Sequence, residues 1–202
     1  MRVKIFVDFW NFQIEWNNYH RNMNNNNVIK IPWDSTFPEV LTDLLGKEAV
    51  YAGTHVYASI DPRKTADRKL SNFLHHMNGF KGFNVTIKER KPASPIRCPD
   101  KDCHQQIDTC PHCSKTIIRS VEKGVDAALI VDMIQLAIDD RYDRGILVSG
   151  DRDFIGAVDF IQGRMKRISH VWFRNRANEL QNVCWDHFFF ENIMGQLLPN
   201  TD

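Results

Sequence analysis

Three segments far apart in the chain each place a carboxylate beside a turn: Asp8 with Asn11 three residues on, Lys123-Gly124-Val125-Asp126, and Ser149-Gly150-Asp151-Arg152-Asp153-Phe154. Carboxylates brought together repel one another and lose hydration, so a cluster of them calls for a compensating cation. Mg²⁺ and Mn²⁺ are hard ions that take oxygen ligands. Held by acids, they lower the pKa of a water and stabilise charge on a leaving oxygen, which is the chemistry of phosphodiester hydrolysis. For each acid alone a simpler role competes, that of a helix cap. The set, on three segments that converge on one sheet edge, favours the metal.

A second group of ligand-type residues is more local. Cys98, Cys103, Cys110 and Cys113 form a C-x4-C-x6-C-x2-C pattern, CPDKDCHQQIDTCPHC. Four thiolates satisfy tetrahedral zinc and leave no open position, which makes a structural site. His104 or His112 are alternatives to one thiolate. A loop this small has no core, so the ion would supply its folding energy. Cys184 stands apart and reads as a buried apolar residue.

The elements that must position these groups follow a βα rhythm. Strands are expected at 2–8, 49–60, 83–90, 144–149 and 167–173. Helices are expected at 36–46, from Asp61-Pro62 to about Met77, at 124–140, at 153–164 and over 176–197. The tract with Asn17, Asn18, Asn22 and Asn24 to Asn27 reads as a solvated loop after a short helix, because Asn favours turns. Pro92, Pro95, Pro99 and Pro111 exclude a regular helix over 92–118, so the cysteines lie in an insertion within one domain, 1–202. Alternating strands and helices make an α/β fold, a parallel sheet in a three-layer, Rossmann-like arrangement. Ile5-Phe6-Val7 and Ile146-Leu147-Val148 have the unbroken apolarity of central parallel strands. In such sheets ligands sit beyond the carboxyl ends of the strands, where the acids are.

The segments VDFWN, KGVDAALIVDM and ILVSGDRDF, in this order, resemble the NYN domain, the LabA-like branch of the PIN-like nuclease superfamily. The resemblance covers most of the chain apart from the cysteine segment. It implies a metal-dependent ribonuclease in which Asp8, Asp126, Asp151 and Asp153 hold Mg²⁺ or Mn²⁺ and Asn11 orients them or the substrate. It also implies 5′-phosphate and 3′-hydroxyl products. Asp132 falls in the matching motif, but six residues along a helix turn it about 240° from Asp126. It is a supporting residue at most, as are Ser149 and Lys123, which could contact phosphate. Phe9 stands where the family has a small residue, and this supports the alternative of a non-catalytic RNA- or protein-binding module. A dehalogenase-type phosphatase needs a second Asp where Trp10 stands, and P-loop, GxGxxG and GxSxG motifs are absent.

The 202 residues carry 26 Lys+Arg and 25 Asp+Glu, a net charge of +1, which by itself argues against a nucleic-acid partner. The distribution argues otherwise. Arg63, Lys64, Arg68, Lys69, Lys81, Lys88, Arg90, Lys91 and Arg97 precede the acidic centre, and Arg164, Lys166, Arg167, Arg174 and Arg176 follow it. Basic flanks around acids suit a phosphate backbone steered to a metal, so RNA is the expected partner. Tyr19, Trp33 and Trp172 are candidates for stacking on bases. The apolar runs are too short to span a membrane, and no signal peptide is visible. With the clustered cysteines this points to the cytoplasm.

Overall fold

A computed structural model describes residues 1–23, 29–117, 119–174 and 179–198. The central sheet has six strands in the order β3-β2-β1-β8-β9-β10, and every neighbouring pair is parallel. These strands are β1 (Arg2–Asp8), β2 (Val50–Ile60), β3 (Phe83–Glu89), β8 (Arg144–Val148), β9 (Arg167–Trp172) and β10 (Asp186–Phe189). The chain starts at the centre, winds out to β3, returns to β8 beside β1, and winds out the other way to β10. The reversal therefore falls between β1 and β8, and their carboxyl ends open a crevice there.

Side chains alternate between the two faces of each strand. Val3, Ile5 and Val7 enter a layer formed with α1 (Phe9–Met23), α2 (Thr36–Asp43) and α7 (Phe190–Leu197), where Phe12, Trp16, Phe37 and Phe190 are fully buried. Phe6 points the other way, to α4 (Val125–Ile138) and α5 (Ile155–Gln162), and packs in the layer of Leu129, Met133, Phe154 and Val158. Asp8, two residues after Phe6, is on that same α4 side, as are Tyr57 and Ser59 of β2 and Ser149 after Leu147.

Helix α3 (Thr65–Met77) links β2 to β3. It starts later than Asp61-Pro62, because residues 61–64 form a turn in which the Lys64 N–H donates to the Asp61 carbonyl at 2.9 Å. Helix α1 is longer than its asparagines suggest and contains Asn17, Asn18 and Asn22. Phe9, Phe12, Trp16 and His20 recur at helical spacing and are all buried, and this packing outweighs the local preference of Asn. The last segment is not one helix. It divides into α6 (Glu179–Val183), strand β10 and α7, with Arg144 of β8 paired to Asp186 at the start of β10. Asn24 to Asn27, residue 118, and residues 176–178 with Arg176 lie outside the described residues.

Residues 91–121 stand apart from the large sheet. Strand β4 (Lys91–Pro92) pairs antiparallel with β7 (Ser120–Val121), and β5 (Ile96–Arg97) with β6 (Gln106–Ile107). Among the described residues, no helix is long and apolar enough to cross a membrane.

Candidate active site

Asp8 ends β1 and is only 5% exposed. Ser149, just past β8, donates from Oγ to Asp8 Oδ2 at 3.1 Å, and the Asn11 N–H approaches Asp8 Oδ1 at 3.4 Å. The Asp151 N–H donates to Ser149 Oγ at 3.1 Å, and Asp151 Oδ1 accepts from the Asp153 N–H at 2.9 Å. Asp151 thus caps the 3₁₀ turn Arg152–Phe154. Asn11 reaches across the crevice, its Oδ1 taking the Gly150 N–H at 2.8 Å. Below this loop His170 donates from Nε2 to the Ser149 carbonyl at 2.8 Å. Burial lowers the pKa of His170 to about 4, so the ring is neutral and acts as a fixed strut. Gly150 is required by close approach: a Cβ there would lie 2.6 Å from the Trp172 indole.

Asp126 comes to the crevice on the first turn of α4, where the helix dipole favours an acid. Gly124 precedes that turn with φ +78°, a left-handed conformation that side chains beyond glycine resist. Burial raises the pKa of Asp126, and the charges of Asp151, Glu122 and Asp153 raise it further. The pKa of Asp8 is pushed up to about 7, first by burial and then by the charges of Asp126 and Glu122, against the hydrogen bonds from Asn11 and Ser149. Asp8, Asp126, Asp151 and Asp153 therefore share one electrostatic neighbourhood, with Asn11 and Ser149 bonded into it. Asp8 and Ser149 are buried, Asp126 and Asp151 are half-buried, and Asp153 is exposed.

Glu122 belongs to this neighbourhood and has no motif to mark it. Its Oε2 accepts from Ser59 Oγ of β2 and from Arg90 Nη2 at 2.9 Å. Arg90 also donates from Nε to Ser59 Oγ at 2.9 Å and lies 5.2 Å from the centre of the Trp10 ring. The signal that could have found Glu122 is its place immediately before Lys123-Gly124-Val125-Asp126.

Other expected residues are placed elsewhere. Asp132 accepts a hydrogen bond from the Tyr57 hydroxyl at 2.8 Å, further along α4, in keeping with a supporting role. Lys123 is exposed at the edge of the crevice. Trp33 and Trp172 are 4% and 2% exposed, core residues rather than stacking platforms, and Tyr19 is half-buried against Phe173. Phe9 is 1% exposed and stacked on Trp33, so it turns into the core and does not narrow the crevice. The basic flanks divide between the two sheet edges, because a parallel strand carries its ends to opposite edges. Arg63, Lys64, Arg90 and Arg174 follow strands, on the acid side. Lys81, Arg164 and Lys166 precede strands, on the far side, where Lys166 pairs with Asp140.

The cysteines sit on two small hairpins. Cys98 and Cys103 flank the turn joining β5 to β6, with the Cys98 N–H bonded to the Gln105 carbonyl at 2.9 Å. Cys110 and Cys113 flank a second turn, where hydrogen bonds from the Cys113 and His112 backbone and the Cys113 side chain lower the Cys110 pKa. His104 and Ser114, each just after the second cysteine of its pair, share a left-handed backbone (φ 47° and 55°). Among the described residues, no three His, Cys, Asp or Glu side chains are gathered as an ion's ligands, either on the hairpins or in the crevice.

A solved structure of a protein of unknown function from Vibrio parahaemolyticus shares this fold, with a TM-score of 0.52 and 19% identity over 93% of this chain and 91% of that one. No curated protein matches the sequence. The NYN domain model matches residues 2–193. The chain therefore belongs to the NYN domain family, in general nucleases of the PIN-like superfamily.

Proposed function

We propose that the chain is a metal-dependent ribonuclease. The observation that carries this reading is Asp8, buried at the switch point with a pKa near 7 and in the field of a second raised acid, Asp126. Such a pair is unfavourable alone and suits a divalent cation, because all the donors are oxygens. Asp8, Asp126, Asp151 and Asp153 would hold Mg²⁺ or Mn²⁺. When bound, the ion would activate water and stabilise charge on the leaving oxygen.

The protein's own groups supply the rest. Asn11 and Ser149 fix the crevice at opposite walls, Asn11 through Gly150 and Ser149 through Asp8. Arg63 and Arg90 are held by Asp61 and Glu122 on the β2–β3 side, and Arg174 packs over Phe189 on the other. Together with Lys123 they give an RNA backbone two cationic borders. Phe9, the residue that favoured a non-catalytic module, lies in the core and leaves the crevice open.

For the insertion we propose a structural zinc held by Cys98, Cys103, Cys110 and Cys113. The two hairpins would have to close on one another to complete it; one is held by the two-residue β5–β6 ladder and the other by the single Thr109–Thr116 bridge, which leaves them room to do so. Metal analysis of the pure protein should find about one zinc per chain, and far less would remove this part of the proposal.

The activity is tested by incubating labelled single-stranded RNA with the protein and Mn²⁺, beside the Asp151→Asn variant and an EDTA control. Cleavage is expected only in the wild type with metal. Undiminished cleavage by the variant would overturn the site, and tight binding without cleavage would point to the non-catalytic module.

A further inference from the structure

The insertion meets the body of the protein around a hollow of about 230 Å³, just beyond the pairing of β4 with β7. Arg63 reaches it from the turn after β2, and Ile96, Ile107 and Ile117, all exposed or half-buried, line it from the insertion. Arg63 is fixed on the body side. Its Nε and Nη2 each donate to the buried Asp61 carboxylate at 2.8 Å, which offsets its charge. Nη2 also donates to the Arg119 carbonyl at 3.1 Å, and that carbonyl takes the Ala93 N–H at 3.2 Å. The backbone at Arg119 is thus tied to the body and to the neck, while its side chain is exposed. That guanidinium makes one long hydrogen bond, 3.4 Å from Nη1 to the Ser94 carbonyl, and among the described residues no carboxylate pairs with it. Asp108 also lines the hollow, and both its oxygens accept from Gln106 Nε2 at 2.7 Å.

We propose that this hollow takes one nucleotide of a single-stranded RNA, with Arg119 on its phosphate and the isoleucines against its base. The proposal rests on the nuclease reading for the class of ligand, and deepens it by carrying the substrate's path onto the insertion. Arg119 is a cation without a counter-charge whose donors remain mostly open, the kind of group that holds a phosphate. The isoleucines offer apolar contact that a phosphate alone would not use. Asp108 repels an anion seated among them, so the phosphate is confined to the Arg119 end and a neutral ring to the other. The volume falls below the roughly 300–1,000 Å³ of sites that enclose a whole small molecule, and suits one unit of a chain that runs on through the open side. Position makes that chain the one at the acids. Arg119 stands three residues before Glu122, about 10 Å in extended backbone, and Glu122 lies in the field of Asp8 and Asp126. A strand with a phosphate at the acids therefore reaches the hollow within a few nucleotides.

The test is fluorescence anisotropy with short single-stranded RNAs in which one phosphate at a time is replaced by a neutral methylphosphonate. Asp151→Asn in Mg²⁺ serves as the cleavage-silent background. One replacement should weaken binding about tenfold, the scale of losing one charge-assisted contact. With Arg119→Gln added, the same replacement should cost less than about twofold, because a contact already lost cannot be lost again. This substitution leaves the Arg119 carbonyl, and with it the neck, in place. Lys115→Gln, which removes a charge from the second hairpin outside the hollow, should leave the tenfold penalty unchanged. Removing the base next to that phosphate should weaken binding about threefold, and Ile107→Ser should abolish this loss. A phosphate penalty that persists in Arg119→Gln or falls equally in Lys115→Gln, no penalised position, a base removal without effect, or no binding would overturn the site. Arg119-dependent binding by a wild type that never cleaves keeps the hollow and removes the nuclease. Cleavage by a wild type whose binding ignores Arg119 does the reverse.

Discussion

The carboxyl edge of the large sheet and the cysteine insertion both concentrate ligand-type side chains, and they hold them in opposite ways. At the sheet edge the functional groups lie within a few residues of the end of a strand or the start of a helix whose body is buried. Asp8 follows Val7 and Ser149 follows Val148, both fully buried, and Asp126 follows the buried Val125. The acids are thus held against their own repulsion by apolar packing some residues away. In the insertion β5 and β6 are two residues long and Ile107 is 38% exposed, so little beyond local hydrogen bonds fixes the thiols. One region stores electrostatic strain in a core. The other has no core to store it in, and depends on whatever its ligands bind.

This contrast can be broken by substitution. Phe12 touches the rings of Trp16, Trp33, Phe37, Phe173 and Phe190, so Phe12→Ala should cost about 3–5 kcal/mol of stability in denaturant unfolding. A loss below about 1 kcal/mol would mean that the sheet edge is not braced by this cluster. A smaller effect is expected at the acids, and it depends on pH. Folding raises the Asp8 pKa from the usual carboxylate range to about 7, so the folded state binds this proton more tightly than the unfolded chain. Stability from this group is therefore complete below about pH 4 and falls as pH rises through 7. Asp8→Asn has no charge to lose. In EDTA at pH 8 it should be roughly 2–4 kcal/mol more stable than the wild type, and equal to it near pH 4. Mn²⁺ should narrow the gap by stabilising only the wild type. A pH-independent difference would mean that the buried charge is not what strains the edge. The smallest effect belongs to the insertion, where Ile107→Ala should change global stability by less than about 0.5 kcal/mol while exposing the hairpins to limited proteolysis. A loss comparable to that of Phe12 would show that the insertion shares the main core.

Much of the fold and of the acid site was legible because the signals are local. Buried parallel strands are continuous apolar runs, and Asp8 and the Ser149–Asp153 loop each adjoin one, while Asp126 opens the apolar helix α4. Strand β10 was not legible. Asp186-His187-Phe188-Phe189 is short, lies at the sheet edge and is joined directly to α7, and what identifies it is pairing with β9 and the Arg144 ion pair. Glu122 was hidden for a related reason. Its partners Ser59 and Arg90 are 63 and 32 positions away, and only the fold brings them together. The arginines and lysines misled in part, since proximity in sequence says nothing about which end of a parallel strand a residue occupies.

The pairing of β4 with β7 has a consequence for how this chain can vary. Residues 93–119 leave the body and return to it side by side, with Arg90 and Glu122 joined just outside that pairing. To the six-stranded sheet the whole excursion is one closed loop on a fixed base. Lengthening a loop whose ends are already joined is cheap, about 0.6 kcal/mol for each doubling. Evolution is therefore free to enlarge, shrink or replace what hangs from this neck while the arrangement of acids beside it stays as it is.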